Sequence, residues 1–487
     1  MSLALGFTEQ ELNAELAERS MKEFAVQAWP VIEPKTVFRD NWHIDAICEH
    51  LQAVSEGQLR NLVINIPPRF MKSSLISVLW QAWEWIRAPH TRWIFASYAQ
   101  SLSTRDSVKT RRVIQSPWYQ QNFGNKYRLT SDQNEKIRFE NDKTGYRIST
   151  SVGGAITGEG GSRIVVDDGH KATDVHSEAR RTDVLEWWDE SMSTRGDQAD
   201  AVNVIVMQRL HEKDLAGHVL SKSRWEHLCL PAEFESARKC FTSIGWEDPR
   251  TKEGEVLWKG RFDEDYLAER KEDLGSRGYA GQYQQRPSPA DGDTFQRAWM
   301  KKWTHEELPD EFDWILDSWD LTFDDKKSGA YNVGQLWGGK SGKMYMLGQI
   351  RRMMPFTKQI KAMEEIDEWR PDINEKLIEK AANASASIDV LKEKFTNIRP
   401  VNPKGSKTMR AEAVTPEFER GVVFFPPNDV YPEVDEMIER FIKFPNGEYK
   451  DEIDAASQAI MRLREKLKRL GKIKLEDLGK SSTWKIT

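Results

Sequence analysis

Cysteine is almost missing: Cys48, Cys229 and Cys240 are the only ones in 487 residues. An odd number without a C-x-x-C pair argues against a disulfide framework or a cysteine zinc site. Long apolar runs are missing too; the uncharged stretch between Lys72 and Glu84 is far too short to cross a bilayer. The opening residues MSLALGFTEQELNAELAERS lack a basic n-region and meet acids early, so they do not read as a signal peptide and a cytoplasmic protein is expected. Nor is there an excess of one charge. At a net charge of -6, any contact with nucleic acid must run through local basic patches. No internal repeat is visible. What is present is ordinary globular material, 39% hydrophobic and 30% charged, long enough for two or three domains. Its 19 tryptophans point to large cores and interfaces.

Apolar strand-like runs alternate with helix-period segments over residues 60–230. The runs are Asn61–Ile66, Arg92–Ser97, Arg163–Asp167 and Val202–Met207, with helix candidates at 73–87, 99–115 and 178–193. This α/β pattern predicts a parallel sheet with crossover helices. Residues 231–300 turn to Pro, Gly and charge and read as a linker subdomain ending near Phe295. A second α/β block follows. Strands are expected at 313–320, 331–337 and 344–350 about the turn signal GGKSGK, then a helix at 356–369, a strand at 376–379, a helix at 384–394, a strand near 398–401 and a closing helix at about 451–468. Three antiparallel strands followed by alternating helices and strands is the element order of a ribonuclease H-like fold. The tail after 462 is rich in Lys and Arg, which suits a solvated helix face as well as a contact with DNA or a partner.

Two constellations carry chemistry. The run Asn65-Ile-Pro-Pro68-Arg69-Phe70-Met71-Lys72-Ser73-Ser74 lies directly after a buried strand and directly before a helix. Backbone N–H groups there can cradle phosphate oxygens, Lys72 can reach the β- and γ-phosphates of ATP, and the Ser73 hydroxyl can take a Mg2+ position. Ile66 and Met71 stand where the P-loop pattern has glycine. Farther on, Arg163-Ile-Val-Val-Asp167-Asp168 is a strand ending in two carboxylates. Asp167 suits the Mg2+ and Asp168 suits the attacking water. The second constellation is a set of acids spread over the later block: Asp320 ending the first strand, with Asp317 as a rival, Glu379 ending a later strand, and Asp451 with Asp454 opening the last helix. Acids from separate strands and one helix are what a site for two divalent cations, Mg2+ or Mn2+, requires. Asp317 and Asp320 are three apart, so a regular strand points them to opposite faces.

PPRFMKSS, IVVDDGHK and VNVIVMQRLHEKDLAGHVL, in this order, resemble the ATPase half of the large terminase subunit, the DNA-packaging motor of tailed bacteriophages. The upstream Phe38-Arg-Asp-Asn-Trp-His43-Ile-Asp45 is similar to a segment near the nucleotide base in that family. The resemblance covers about residues 35–465. It implies that Gln208 senses the γ-phosphate and that Asp320 rather than Asp317 faces the metals. It also implies that Lys407 and Arg410 form a basic pair near the DNA backbone. Relatives often have DDxVDA on the last helix; here Lys450 replaces the first acid. They also often carry an arginine finger in the approach to the second motif, where this chain has Glu159, leaving Arg163 as the nearest candidate. The implied organisation is an N-terminal helical arm (1–34), a P-loop ASCE-type ATPase domain (35–230), a linker subdomain (231–300), a ribonuclease H-like nuclease domain (301–470) and a C-terminal tail (471–487). The implied function is ATP-driven translocation of double-stranded DNA into a procapsid, with metal-dependent endonucleolytic cutting of concatemers. The implied partners are a portal protein, a small terminase subunit and further copies in a homo-oligomeric ring, without a membrane. The expected place is the cytoplasm of an infected bacterium, at the procapsid portal and not in the mature virion. A helicase or repair-type ATPase–nuclease, or a packaging scaffold that no longer hydrolyses ATP, is the alternative.

Overall fold

The computed structural model describes residues 8–154, 158–175, 177–196, 201–287, 294–321, 331–380, 385–403, 405–445 and 450–480, with the side chains of all of these except 132–134, 385–386 and 472–480. The chain divides into two compact units, Met1–Lys271 with Ser276–Ala290, and Glu272–Gly275 with Asp291–Thr487.

The first unit is built on β1 (Asn61–Asn65), β2 (Trp93–Ser97), β3 (Leu129–Asn134), β4 (Arg138–Asn141), β5 (Tyr146–Ser151), β6 (Arg163–Asp167), β7 (Val202–Met207) and β8 (Glu226–Cys229). They form one sheet in the order β3-β4-β5-β2-β6-β7-β1-β8. From β5 to β8 every neighbour is parallel, as the alternation of apolar runs and helices predicts. Successive side chains alternate between faces, and here both faces are covered. Leu62, Ile64, Phe95, Val165 and Val204 enter one core, while Val63, Ile94, Ile164, Val166 and Ile205 enter another. That is why these strands read as continuous apolar runs. The antiparallel edge β3-β4 has no such signature. Helices Glu9–Arg19, Met21–Ile32 and Trp42–Ser55 precede β1; the second buries Met21, Phe24, Ala25, Ala28 and Ile32. Beyond β8, the Pro- and Gly-rich stretch contributes Leu257, Trp258 and Phe262 to the same core.

The second unit adds β9 (Lys301–Lys302), β10 (Trp314–Asp320), β11 (Asn332–Lys340), β12 (Lys343–Arg352), β13 (Glu375–Glu379), β14 (Ile398–Val401) and β15 (Val423–Phe425) in the order β14-β13-β10-β11-β12-β15-β9. β10, β11 and β12 are an antiparallel meander, and β13 and β14 extend it in parallel beside β10. The β11–β12 turn is Ser341-Gly342, with φ of 48° and 82°. Two residues at positive φ are what a tight hairpin matched to strand twist demands. Helix Asp451–Lys480 covers this sheet through Ile453, Ala456, Ile460 and Leu463, which pack with Leu316 and Trp337. It runs past the expected end near 468 because Gly471 stands alone, without a proline or turn cluster to stop the helix. The tail from 481 lies outside the described residues.

Candidate functional site

In the first unit β1 ends at Asn65, and the chain loops into a π-helical turn, Ser74–Leu79, continued by helix Trp80–Arg87. The loop is held by Phe70, fully buried with its ring 5.8 Å from His43, 6.1 Å from Trp258 and 4.8 Å from Phe262. On either side of it Arg69 and Met71 take φ of 75° and 65°, the left-handed conformation that glycine would adopt freely. The aromatic anchor thus fixes a backbone path that the missing glycines would otherwise permit. From this loop Lys72 Nζ donates to Asp168 Oδ1. Asp168 follows β6 with φ of 50°, and its backbone joins two neighbouring strands: its N–H donates to Val206 O at 2.9 Å, and its carbonyl accepts from Tyr98 N at 3.0 Å.

Beside it, Asp167 Oδ2 accepts from Ser77 Oγ at 2.7 Å. Its Oδ1 is buried without a hydrogen-bond partner among the described residues. Burial first, then the adjacent Asp168 charge, raises the Asp167 carboxyl to about 6, against the pull of Lys72. A buried carboxylate oxygen with nothing to bond is a hard donor suited to Mg2+. These groups line a cleft of about 990 Å³ together with Pro68, Arg69, Met71, Ser73 and Ser74.

Not every expected residue is there. The Phe70 ring points into the core, and Gln208, just past β7, does not line the cleft. Arg163 is a clear correction. Its side chain is buried, with Nε 2.9 Å from Glu84 Oε1 and Nη1 donating to Ser162 O at 3.0 Å, so it does not reach out as a finger into a neighbouring subunit. Glu159 instead pairs with Arg138. His43, in the segment expected near the base, is a core residue pushed down to about 3 by burial, whereas its neighbours Val37 and Arg39 do line the cleft.

Sequence reasoning missed one part of the cleft lining. Helix Gln100–Gln115 presents Leu102, Arg105, Asp106 and Lys109 to the cleft. Arg105 grips Asp106 through Nε at 2.8 Å and Nη2 at 3.1 Å. The i, i+3, i+4, i+7 spacing on a helix that follows a parallel strand was the available signal.

In the second unit the expected acids do come together. Asp320 ends β10, Glu379 ends β13, and Asp451 and Asp454 lie on the first turn of helix Asp451–Lys480. The short helix Lys407–Glu412 reaches them: Lys407 Nζ lies 3.4 Å from Asp320, 3.3 Å from Asp451 and 2.5 Å from Asp454. Arg410 Nη2 lies 3.3 Å from Glu379 and 2.8 Å from Asp454. Burial raises the Asp320 carboxyl to about 7; Lys407 lowers it, and the charges of Asp454, Asp451 and Glu379 raise it further. Burial first also raises Glu379. The acids are paired with protein cations, and among the described residues no three acid, His or Cys side chains are placed to hold one metal ion. Asp317 points away from this cluster. It is fully buried and 2.7 Å from Lys376 Nζ. Glu452 is also directed elsewhere, accepting from Arg440 Nη2 at 2.9 Å.

A parallel sheet with a strand–loop–Lys–Ser–helix at one end, followed by a meander that gathers carboxylates, defines a P-loop ATPase-type unit joined to a ribonuclease H-like unit. No family model and no curated protein matches the chain. Among solved structures it is similar to the large terminase of a thermophilic bacteriophage in complex with ADP, at a TM-score of 0.50 and 10% identity over 84% of this chain and 98% of that one. The fold is that of a phage large terminase. The HK97 bacteriophage large terminase (TM-score 0.37, 13% identity, 86% of this chain and 90% of that one) is also similar. So is the large terminase nuclease from thermophilic phage G20c with bound magnesium (0.28, 15%, 36% and 98%). At those scores they add nothing to the assignment. No described helix is long and apolar enough to cross a membrane.

Proposed function

We propose that the chain is the large subunit of a phage DNA-packaging terminase, which hydrolyses ATP to drive double-stranded DNA into a procapsid and cuts concatemeric DNA with divalent cations. The observation that carries this reading is the presence in one chain of the Lys72–Asp167–Asp168 cleft and the Asp320–Glu379–Asp451–Asp454 cluster. Lys72 binds the β- and γ-phosphates, exchanging Asp168 for them. Asp168, released, orients the attacking water and accepts its proton. Ser73 and Asp167 would hold Mg2+, which neutralises charge developing on the phosphates. The four carboxylates of the second unit, here paired with Lys407 and Arg410, are hard oxygen donors of the kind that Mg2+ or Mn2+ prefers, and a cation bound by them would supply water activation and leaving-group stabilisation. A motor that moves along DNA contacts chiefly backbone. The portal protein, a small terminase subunit and further copies of this chain in a ring are the partners this reading entails.

Lys72→Ala should abolish phosphate release, while Asp168→Asn should retain ATP binding and lose turnover. Binding of a fluorescent ATP analogue beside steady-state phosphate release checks both. Turnover at the unmutated rate in Lys72→Ala would sink the ATPase assignment.

A further inference from the structure

The proposed cutting centre contains cations of its own. Lys407 Nζ donates to Asp320 Oδ2 at 3.4 Å and Asp451 Oδ1 at 3.3 Å, and its charge lies 2.5 Å from Asp454 Oδ2. On the other side of Asp454, Arg410 takes Oδ1 and also Glu379 Oε2. Lys407 and Arg410 are three apart on one helix, so they reach the acids from the same face.

Their holds differ. The Arg410 side chain is 9% exposed and is fastened further by donation to Gly405 O at 3.3 Å. The Lys407 side chain is 42% exposed and ends a flexible stem that can swing to solvent. Arg410 is therefore built in, whereas Lys407 has room to withdraw. Its ammonium stands among the oxygens that a metal would need.

We infer that Lys407 is an exchangeable internal cation of this centre: a divalent cation takes Asp320, Asp451 and Asp454 from it, and the released ammonium turns to solvent. The inference rests on the nuclease reading of the cluster. It makes Lys407 a positioning residue that holds the acids together before metal arrives. Lys407 and the metal compete for the same oxygens, so metal binding is weaker with Lys407 than without it.

The test is Mn2+ titration by calorimetry on the full-length chain, without ATP or DNA. Lys407→Met keeps the stem and removes the charge, and should bind Mn2+ about tenfold more tightly, the scale of a lost set of charged hydrogen bonds. Lys407→Arg, which retains the charge, should stay near the unmutated protein. Without metal Lys407→Met should melt at a lower temperature, and Mn2+ should raise its melting point more than that of the unmutated chain. A second measurement needs no variant: Mn2+ should speed labelling of Lys407 by an amine-reactive reagent, read by peptide mass spectrometry. Unchanged or weaker Mn2+ binding in Lys407→Met, or unchanged or slower labelling, overturns the exchange. Asp320→Asn separates the two levels, since Mn2+ binding as tight as in the unmutated chain would overturn the reading of the centre itself.

Discussion

Asp317 and Asp320 share a strand and a functional group, yet their surroundings set them to different work. Asp317 is fully buried against Lys376, which also meets Asp367 at 2.5 Å; this is an internal ion pair. Replacing Asp317 by Asn leaves Lys376 buried with one carboxylate. Breaking a buried pair should cost about 3 kcal/mol here, the low end of the usual range because Asp367 remains. Urea denaturation should show that loss, while plasmid cutting per folded molecule persists. A stable but inactive Asp317→Asn would mean that the strand faces have been assigned wrongly. Asp320 faces its fellow acids, and burial raises its carboxyl to about 7. The raised value favours the protonated form, so Asp320 takes up a proton as the pH falls through about 7 and, as a proposed metal ligand, should then hold metal less well. Mn2+ binding should accordingly tighten as the pH rises through that value, with the inflection missing from Asp320→Asn. Calorimetric titration over a pH series measures it, and a flat profile in the unmutated chain would contradict the account.

At the scale of elements, the loop proposed to bind nucleotide shows what sequence can and cannot convey. Its place between β1 and a helix is legible because both flanks are strongly patterned. Its support is not, since Phe70 rests on His43, Trp258 and Phe262, two of which lie far along the chain. Phe70→Ala should cost about 3–5 kcal/mol and raise the KM for ATP by releasing the loop. Thermal melting and steady-state kinetics check this, and an unchanged KM would show that the loop keeps its path without the ring. The parallel strands are readable because both their faces are buried. The β3–β4 edge is not, because LTSDQN and RFEN lack both an apolar run and a clear alternation. The role of Arg163 is hidden in the sequence for the same reason as the loop support: its partner Glu84 is distant along the chain, and only folding shows that the guanidinium is already used. The acids of the second unit are legible as a set because each ends a strand or opens a helix. The cations among them follow from the tertiary arrangement, and so does the cleft wall at Arg105 and Lys109.

At the scale of the whole molecule, the groups proposed to bind phosphate belong to the first unit and the clustered carboxylates to the second. No residue is asked to serve both. The central claim is that one chain carries two separable activities, and the most direct measurement is phosphate release and supercoiled-plasmid cleavage on the same preparations of the unmutated chain, Lys72→Ala and Asp320→Asn. Cleavage is measured with Mn2+ and without ATP, so that it does not depend on the motor. The account predicts that Lys72→Ala cuts without hydrolysing ATP and that Asp320→Asn hydrolyses ATP without cutting. Loss of both activities in either variant, with the fold intact by circular dichroism, would contradict it.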